Sequence, residues 1–220
     1  MLLAGLAVSL VFWIRLARRD RRLLWIWLAA LLGAFVGAKG MYLIAEGWRD
    51  WGHPDAWQRL AAGKSVLGAL LGGYAAVELA KQRLGYPGAT GDRFAVIVPL
   101  GLALGRLGCW LNGCCPGRVC DSPRWWTLPD AHGIVRWPAV PVEFGFNVAA
   151  LVVLAVLRRR GQFPGNLFHL YLIAYGLFRF AHEFLRDTPN LIGPFSGYAL
   201  AALAVAALGA IRFWQRTRGE

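Results

Sequence analysis

At 220 residues, with 57% hydrophobic side chains and a mean hydropathy of +0.45, this chain is too apolar for an ordinary soluble domain of its size. Its net charge of +12 does not gather as a basic stripe on a soluble module, so it does not argue for nucleic-acid binding and no nucleic-acid partner is expected. The composition calls for an all-α integral membrane protein.

A bilayer core takes about 20 mostly apolar residues per helix. Seven stretches qualify, at about 2–17, 23–45, 64–80, 94–113, 139–157, 166–185 and 196–213. The first has no small-residue cleavage motif ahead of a soluble domain and reads as a retained helix. The second carries Gly33-x-x-x-Gly37, followed by Lys39 and Tyr42. The third is glycine-rich, with Gly68-x-x-x-Gly72, and holds Lys64 and Glu78, which predicts a tilted or partly re-entrant segment. In the fourth, Gly101, Gly105 and Gly108 form a small-residue stripe suited to close helix approach. Arg106, Cys109 and Gly113 lie beside it on one face, at i, i+3 and i+7. All four cysteines of the chain, Cys109, Cys114, Cys115 and Cys120, fall at the end of this span. In the sixth, Tyr175, Arg179, His182 and Glu183 share a face. The whole is expected to form one polytopic membrane domain over 1–220.

The cations set the expected orientation. Fourteen lie in 15–22, 81–93, 158–160 and the C-terminal tail, against seven in the alternate loops: Arg49, Arg59, Lys64, Arg118, Arg124, Arg136 and Arg186. The positive-inside rule then predicts the N-terminus outside, the C-terminus in the cytoplasm and about seven transmembrane helices. Tryptophans near the span ends, such as Trp25, Trp27, Trp48, Trp51, Trp110 and Trp214, fit an interfacial belt.

Three cations stay inside the spans: Lys39, Arg106 and Arg179. An arginine at the bilayer centre costs roughly 3 kcal/mol on insertion scales. Glu183, four residues after Arg179, can neutralise it, but no carboxylate is assigned to Arg106 or Lys39. A phosphate would serve, and arginine forks suit phosphate oxygens. In a membrane the abundant phosphate is a phospholipid headgroup. Plainer explanations stand beside this one: a structural Arg179–Glu183 pair, snorkelling of Lys39 and Arg106, and glycines that serve packing alone. His53, His132 and His169 have no metal-ligand spacing, and His182 is distinguished only by its face.

The cysteines leave several possibilities open. A disulfide could staple the 114–120 loop in an oxidising compartment. Cys109 could be a small core residue. A thiol near Arg106 could act as a nucleophile or redox group. Four thiols could bind a soft metal, but C-x4-C-C-x4-C is not a standard zinc spacing and lacks supporting histidines, so no metal and no cofactor is assigned.

The stretch Gly105-Arg106-Leu107-Gly108-Cys109-Trp110-Leu111-Asn112-Gly113-Cys114-Cys115-Pro116-Gly117-Arg118 resembles the G-R-x-G-N-F-x-N-x-E-x-x-G signature of the prolipoprotein diacylglyceryl transferase family. Gly37-Ala38-Lys39-Gly40-Met41-Tyr42 is similar to the family's G-x-R-x-x-Y. Gly63-Lys64-Ser65-Val66-Leu67-Gly68 sits where the family has S-x-H-G-G. Tyr175-Gly176-Leu177-Phe178-Arg179-Phe180-Ala181-His182-Glu183-Phe184-Leu185-Arg186 resembles its Y-G-x-x-R-F-x-x-E-F-x-R. The resemblance implies a seven-helix inner-membrane enzyme that moves the diacylglyceryl group of phosphatidylglycerol onto the lipobox cysteine thiol of a prolipoprotein. Its partners would be phosphatidylglycerol, the prolipoprotein signal peptide and the membrane.

On that resemblance Arg106, Arg179 and Glu183 would be catalytic, with Glu183 orienting Arg179. Lys39, Tyr42, Asn112, Gly117, Cys109 and Cys114 would bind substrate. The chain departs from the pattern at Cys109 for Asn, Cys114 for Glu, Leu67 for His and Lys39 for Arg. Val140-Pro141-Val142-Glu143-Phe144-Gly145-Phe146 stands for H-P-x-Q-x-Y-E. These departures mark a cysteine-substituted branch. A membrane thiol redox or soft-metal protein on the same fold, and a non-catalytic phospholipid-binding protein, remain the alternatives.

Overall fold

The computed structural model describes residues 2–18, 20–130 and 132–219, without the side chains of 2–8. Arg19, counted above in loop 15–22, lies outside the described residues. Among these described residues eight α-helices follow in order: α1 (Leu2–Ala17), α2 (Arg22–Ala45), α3 (Ala56–Ala62), α4 (Val66–Arg83), α5 (Gly91–Leu111), α6 (Ala139–Arg159), α7 (Leu167–Glu183) and α8 (Gly197–Thr217). Two short antiparallel hairpins interrupt them, β1 (Leu128–Pro129) with β2 (Val135–Arg136) and β3 (Asn190–Ile192) with β4 (Phe195–Ser196).

Helices α2, α5, α6 and α8 are long and apolar enough to cross a membrane, and α3 with α4 make a fifth candidate broken by a 54° bend. The chain is thus an all-helical membrane protein with four or five candidate spans. The bend falls where the glycine-rich third stretch predicts a tilted or re-entrant segment. Helices α1 and α7, at 16 and 17 residues, are shorter than the roughly 20 residues an untilted span needs. Exposed Leu32, Phe35, Val36 and Ile44 on α2, and Val152 and Val153 on α6, present apolar surface that lipid would cover.

The chain divides into two compact units, one of residues 1–10, 89–187 and 207–220, the other of 11–88 and 188–206. In the second unit α2 and α4 pair antiparallel through glycines. A Cβ at Gly68 would run into the Gly37 carbonyl, and one at Gly72 into the Gly33 carbonyl. The two small-residue motifs are therefore two halves of one seam. Ser65 caps α4, its hydroxyl accepting from Gly68 N at 3.4 Å while its own N–H donates to the Ala38 carbonyl at 3.0 Å, which holds the start of α4 against α2.

Gly68→Ala should cost about 1–3 kcal/mol by overpacking, read as a lowered unfolding midpoint in detergent. Gly73→Ala, whose Cβ would meet nothing closer than 3.4 Å, should be neutral or stabilise by up to about 1 kcal/mol as a helix substitution. On α5 a Cβ at Gly101 or Gly105 would meet nothing within 4 Å among the described residues. The helix partners of α5 are reached from its Arg106 side instead.

In the first unit α5, α6 and α7 pack together, and their ends are tied by one extended strip. Arg118 N donates to the Leu185 carbonyl at 3.0 Å, Trp137 N to the Arg118 carbonyl at 3.0 Å, and Cys120 N to the Val135 carbonyl at 2.9 Å. Gly117 bridges Arg186, and Val119 bridges Arg136. The strip thus lies between the segment after α7 and the segment before α6, and it fixes three helix ends that carry ionisable side chains.

Candidate functional site

The centre of the first unit is a carboxylate. Glu143, in the first turns of α6, is fully buried. Arg106 of α5 donates to its Oε1 at 2.8 Å, and the Tyr175 hydroxyl of α7 donates to the same oxygen at 2.8 Å. Its Oε2 lies 3.7 Å from Arg179 Nη1 and 3.8 Å from Arg186 Nη1, near enough to pair as ions but beyond hydrogen-bond reach. Glu183 takes Arg179 Nη2 at 2.8 Å. Three arginines thus face two glutamates, with the Cys115 thiol set against Arg106 and Arg186 at the edge of the cluster.

Among the described residues several of its polar atoms have no hydrogen-bond partner: Arg179 Nε, Arg186 Nε, Arg186 Nη1 and Glu143 Oε2. Buried donors are almost always satisfied, so guanidinium N–H groups without a hydrogen bond suit an anion with several oxygens. Asn147 donates to the Glu143 carbonyl at 2.8 Å and accepts from the Tyr171 hydroxyl at 2.8 Å. Phe146 stacks on Phe178 at 4.1 Å, and Phe178 on His182. Trp137 Nε1 donates to His182 Nε2 at 3.0 Å. That leaves a neutral ring's proton on Nδ1, so the 3.5 Å approach of Nδ1 to Arg179 Nη1 is two donors facing each other. His182 positions Trp137 rather than Arg179.

At the end of α5 the chain turns back on itself. Gly113 and Cys115 both take left-handed backbone, each at φ 62°, which is unstrained for glycine and costly for cysteine. Cys114 N donates to the Cys109 carbonyl at 3.1 Å. The turn gathers the Sγ atoms of Cys109, Cys114 and Cys115 to within 4.8 Å of one another. A hydrogen bond from the Cys109 thiol, with the Arg106 and Arg186 guanidiniums, holds the Cys115 thiol down to about 5, while burial pushes Cys114 up. Cys120 stands apart, its thiol directed at the Arg118 carbonyl at 3.9 Å. The 114–120 staple is not formed, and all four thiols are free.

The model of the family described as prolipoprotein diacylglyceryl transferase matches residues 1–215. The chain belongs to the prolipoprotein diacylglyceryl transferase family. Relatives named phosphatidylglycerol–prolipoprotein diacylglyceryl transferase include one from Geobacter sulfurreducens, 37% identical over 154 residues, covering 67% of this chain and 59% of the relative. One from Chlorobaculum tepidum is 36% identical over 138 residues, covering 60% of this chain and 48% of the relative. One from Rhodopseudomonas palustris is 30% identical over 214 residues, covering 91% of this chain and 74% of the relative. In the first two the chain spans about half the length of the relative it matches.

Of the residues the transferase pattern singles out, the fold brings Arg106, Arg179 and Glu183 together, with Cys109 one turn beyond Arg106. Gly117 sits where any Cβ would collide with the Trp137 carbonyl, so it admits the backbone strip. Asn112 is exposed and ends α5, donating to the Gly108 carbonyl at 2.9 Å. Lys39 and Tyr42 belong to the other unit. Lys39 donates to the Gly63 carbonyl at 3.2 Å and lies over the Tyr42 ring, while the Tyr42 hydroxyl donates to Asp50.

Two members of the cluster were not identified from sequence. The expectation that no carboxylate neutralises Arg106 is corrected by Glu143. The signal was present, since Glu143 is the one carboxylate in the predicted 139–157 span, and an ionisable group there warrants the attention given to Arg106. Arg186, counted as an outer-loop cation, is turned inward by the bridge to Gly117. No local pattern announces that.

Proposed function

We propose that this chain transfers the diacylglyceryl group of phosphatidylglycerol to the lipobox cysteine thiol of a prolipoprotein, releasing glycerol phosphate. The observation that carries the proposal is the set of buried guanidinium N–H groups on Arg179 and Arg186, in the Arg106–Glu143 cluster, that make no hydrogen bond among the described residues. A phosphodiester brings one negative charge and several acceptor oxygens. The acceptor S–H bond breaks with its proton passing to solvent; the sulfur then attacks the glyceryl carbon, the C–O bond breaks, and the electron pair leaves as negative charge on the departing glycerol phosphate. Arg106 and Arg179 stabilise that charge, and Glu183 orients Arg179.

Asn112 and Gly117 shape the neighbouring surface, and Cys109 and Cys114 line it where the family has Asn and Glu. Lys39, which carries three ammonium donors, and Tyr42 are proposed as substrate-binding residues. The two units are proposed to work as one polytopic domain of about seven transmembrane helices in the inner membrane, N-terminus outside and C-terminus cytoplasmic. The cation asymmetry between alternate loops supports this orientation, and α1 and α7 complete the count.

The test is complementation. Expression in a bacterium depleted of its own diacylglyceryl transferase should restore growth and lipoprotein maturation. Wild-type chain inserted in the membrane at normal levels, with unmodified prolipoproteins accumulating, would contradict the proposal.

A further inference from the structure

We propose that Cys109, Cys114 and Cys115 form a three-thiolate zinc site whose fourth position takes the acceptor thiol. This rests on the transferase reading for the identity of the fourth ligand, and on geometry alone for the metal. Three Sγ atoms lie within 4.8 Å of one another. Tetrahedral zinc with Zn–S bonds of about 2.3 Å sets its sulfurs about 3.8 Å apart, so a small inward rotation of the thiols closes the site. The backbone is shaped for this. The paired left-handed residues Gly113 and Cys115 fold the 114–115 thiols back over the last turn of α5 to meet Cys109, and a cysteine rarely adopts that conformation without a reason.

The primary spacing conceals the site because Cys120 is not part of it. Three protein ligands with an open position are the pattern of zinc sites that bind a reactant. Cys114 is exposed while Cys109 and Cys115 are half-buried, so the open position can be reached from outside the helix bundle. Three thiolates around a divalent cation leave one net negative charge, and the Arg106 guanidinium is carried one helical turn from Cys109 on α5. When an acceptor cysteine binds, its S–H bond breaks, the proton leaves to solvent, and the sulfur lone pair enters the fourth position. No oxidant is involved.

The full-length protein, reduced and purified in detergent, should bind about one zinc per chain. Cobalt(II) in its place should give sulfur-to-metal charge-transfer bands and the intense visible bands of a tetrahedral site. Cys109→Ser, Cys114→Ser and Cys115→Ser should each weaken metal binding at least about tenfold, while Cys120→Ser binds like wild type. A lipobox peptide should shift the cobalt spectrum, and its Cys→Ser version should not.

Wild type that takes up no zinc or cobalt overturns the site, as does a Cys120→Ser loss equal to that of Cys115→Ser. Uptake of copper(I) with refusal of zinc overturns the choice of metal, and a cobalt spectrum indifferent to both peptides overturns the acceptor as fourth ligand. The two readings fail separately. Zinc binding with the expected variant pattern but no diacylglyceryl transfer upholds the metal site and contradicts the transferase. Undiminished transfer by chelated, metal-free protein upholds the transferase and contradicts the acceptor as fourth ligand.

Discussion

Replacing Arg106 with alanine should lower diacylglyceryl transfer by about two to three orders of magnitude, the usual consequence of losing one preorganised group that stabilises charge in the transition state. Arg106 reaches Glu143 from α5 at 2.8 Å and sits one helical turn from the cysteine cluster, so it joins the anion-binding and thiol-bearing parts of the site. Its removal leaves Glu143 with Tyr175 at 2.8 Å and with Arg179 and Arg186 within 4 Å, so the carboxylate keeps partners and the fold should survive. The loss should therefore appear in turnover with only a modest fall in unfolding midpoint. Arg106→Lys should recover little, because an ammonium cannot supply the planar fork that contacts a carboxylate and a phosphate together. Transfer by Arg106→Ala within tenfold of wild type would remove Arg106 from the reaction.

The second large effect concerns stability. Glu143→Ala should cost about 3–5 kcal/mol, the range seen when one partner of a buried ion pair is removed and the other charge stays behind. Here the charges left behind are three guanidiniums, and Glu183 alone remains to offset them. For a chain of this length the unfolding midpoint should fall on the order of 10 °C. Glu143→Gln keeps the volume and an acceptor for Tyr175 but not the charge, so it should fall between wild type and alanine. Tyr175→Phe, which removes only one hydrogen bond, should cost about 1 kcal/mol. An alanine variant that melts with wild type would show that the arginines are not held by Glu143.

How much of this was legible in the sequence depends on whether the information was local. Helix positions, the Arg106–Cys109 face and the Arg179–Glu183 pair follow from periodicity, and the fold brings these residues together. The glycine motifs at 33/37 and 68/72 were read as separate devices, whereas they interlock with each other. Gly101 and Gly105 look equivalent in sequence, but a Cβ there would meet nothing within 4 Å among the described residues, because a stripe of small residues permits close packing without requiring it.

Arg186 could not be assigned to the site from spacing. It follows the end of α7, and only the strand-like strip through Gly117 and Arg118 turns it toward Glu143. The cysteines misled in a similar way. Read as four in a row they match no metal pattern, but the left-handed turn at Gly113 and Cys115 selects three and sends Cys120 elsewhere. In both cases the deciding contacts span dozens of residues or hinge on one backbone angle.

The most direct measurement uses reconstituted protein, phosphatidylglycerol labelled separately in its acyl chains and in its headgroup glycerol, and a lipobox peptide. Acyl label should move to the peptide while headgroup label is released in equal amount as glycerol phosphate. A Cys→Ser peptide should accept none, and Arg106→Ala and Arg179→Ala should each be slowed at least about a hundredfold. If wild-type protein leaves both labels in the lipid under conditions where the Geobacter sulfurreducens relative transfers them, the chain is not a phosphatidylglycerol-dependent transferase.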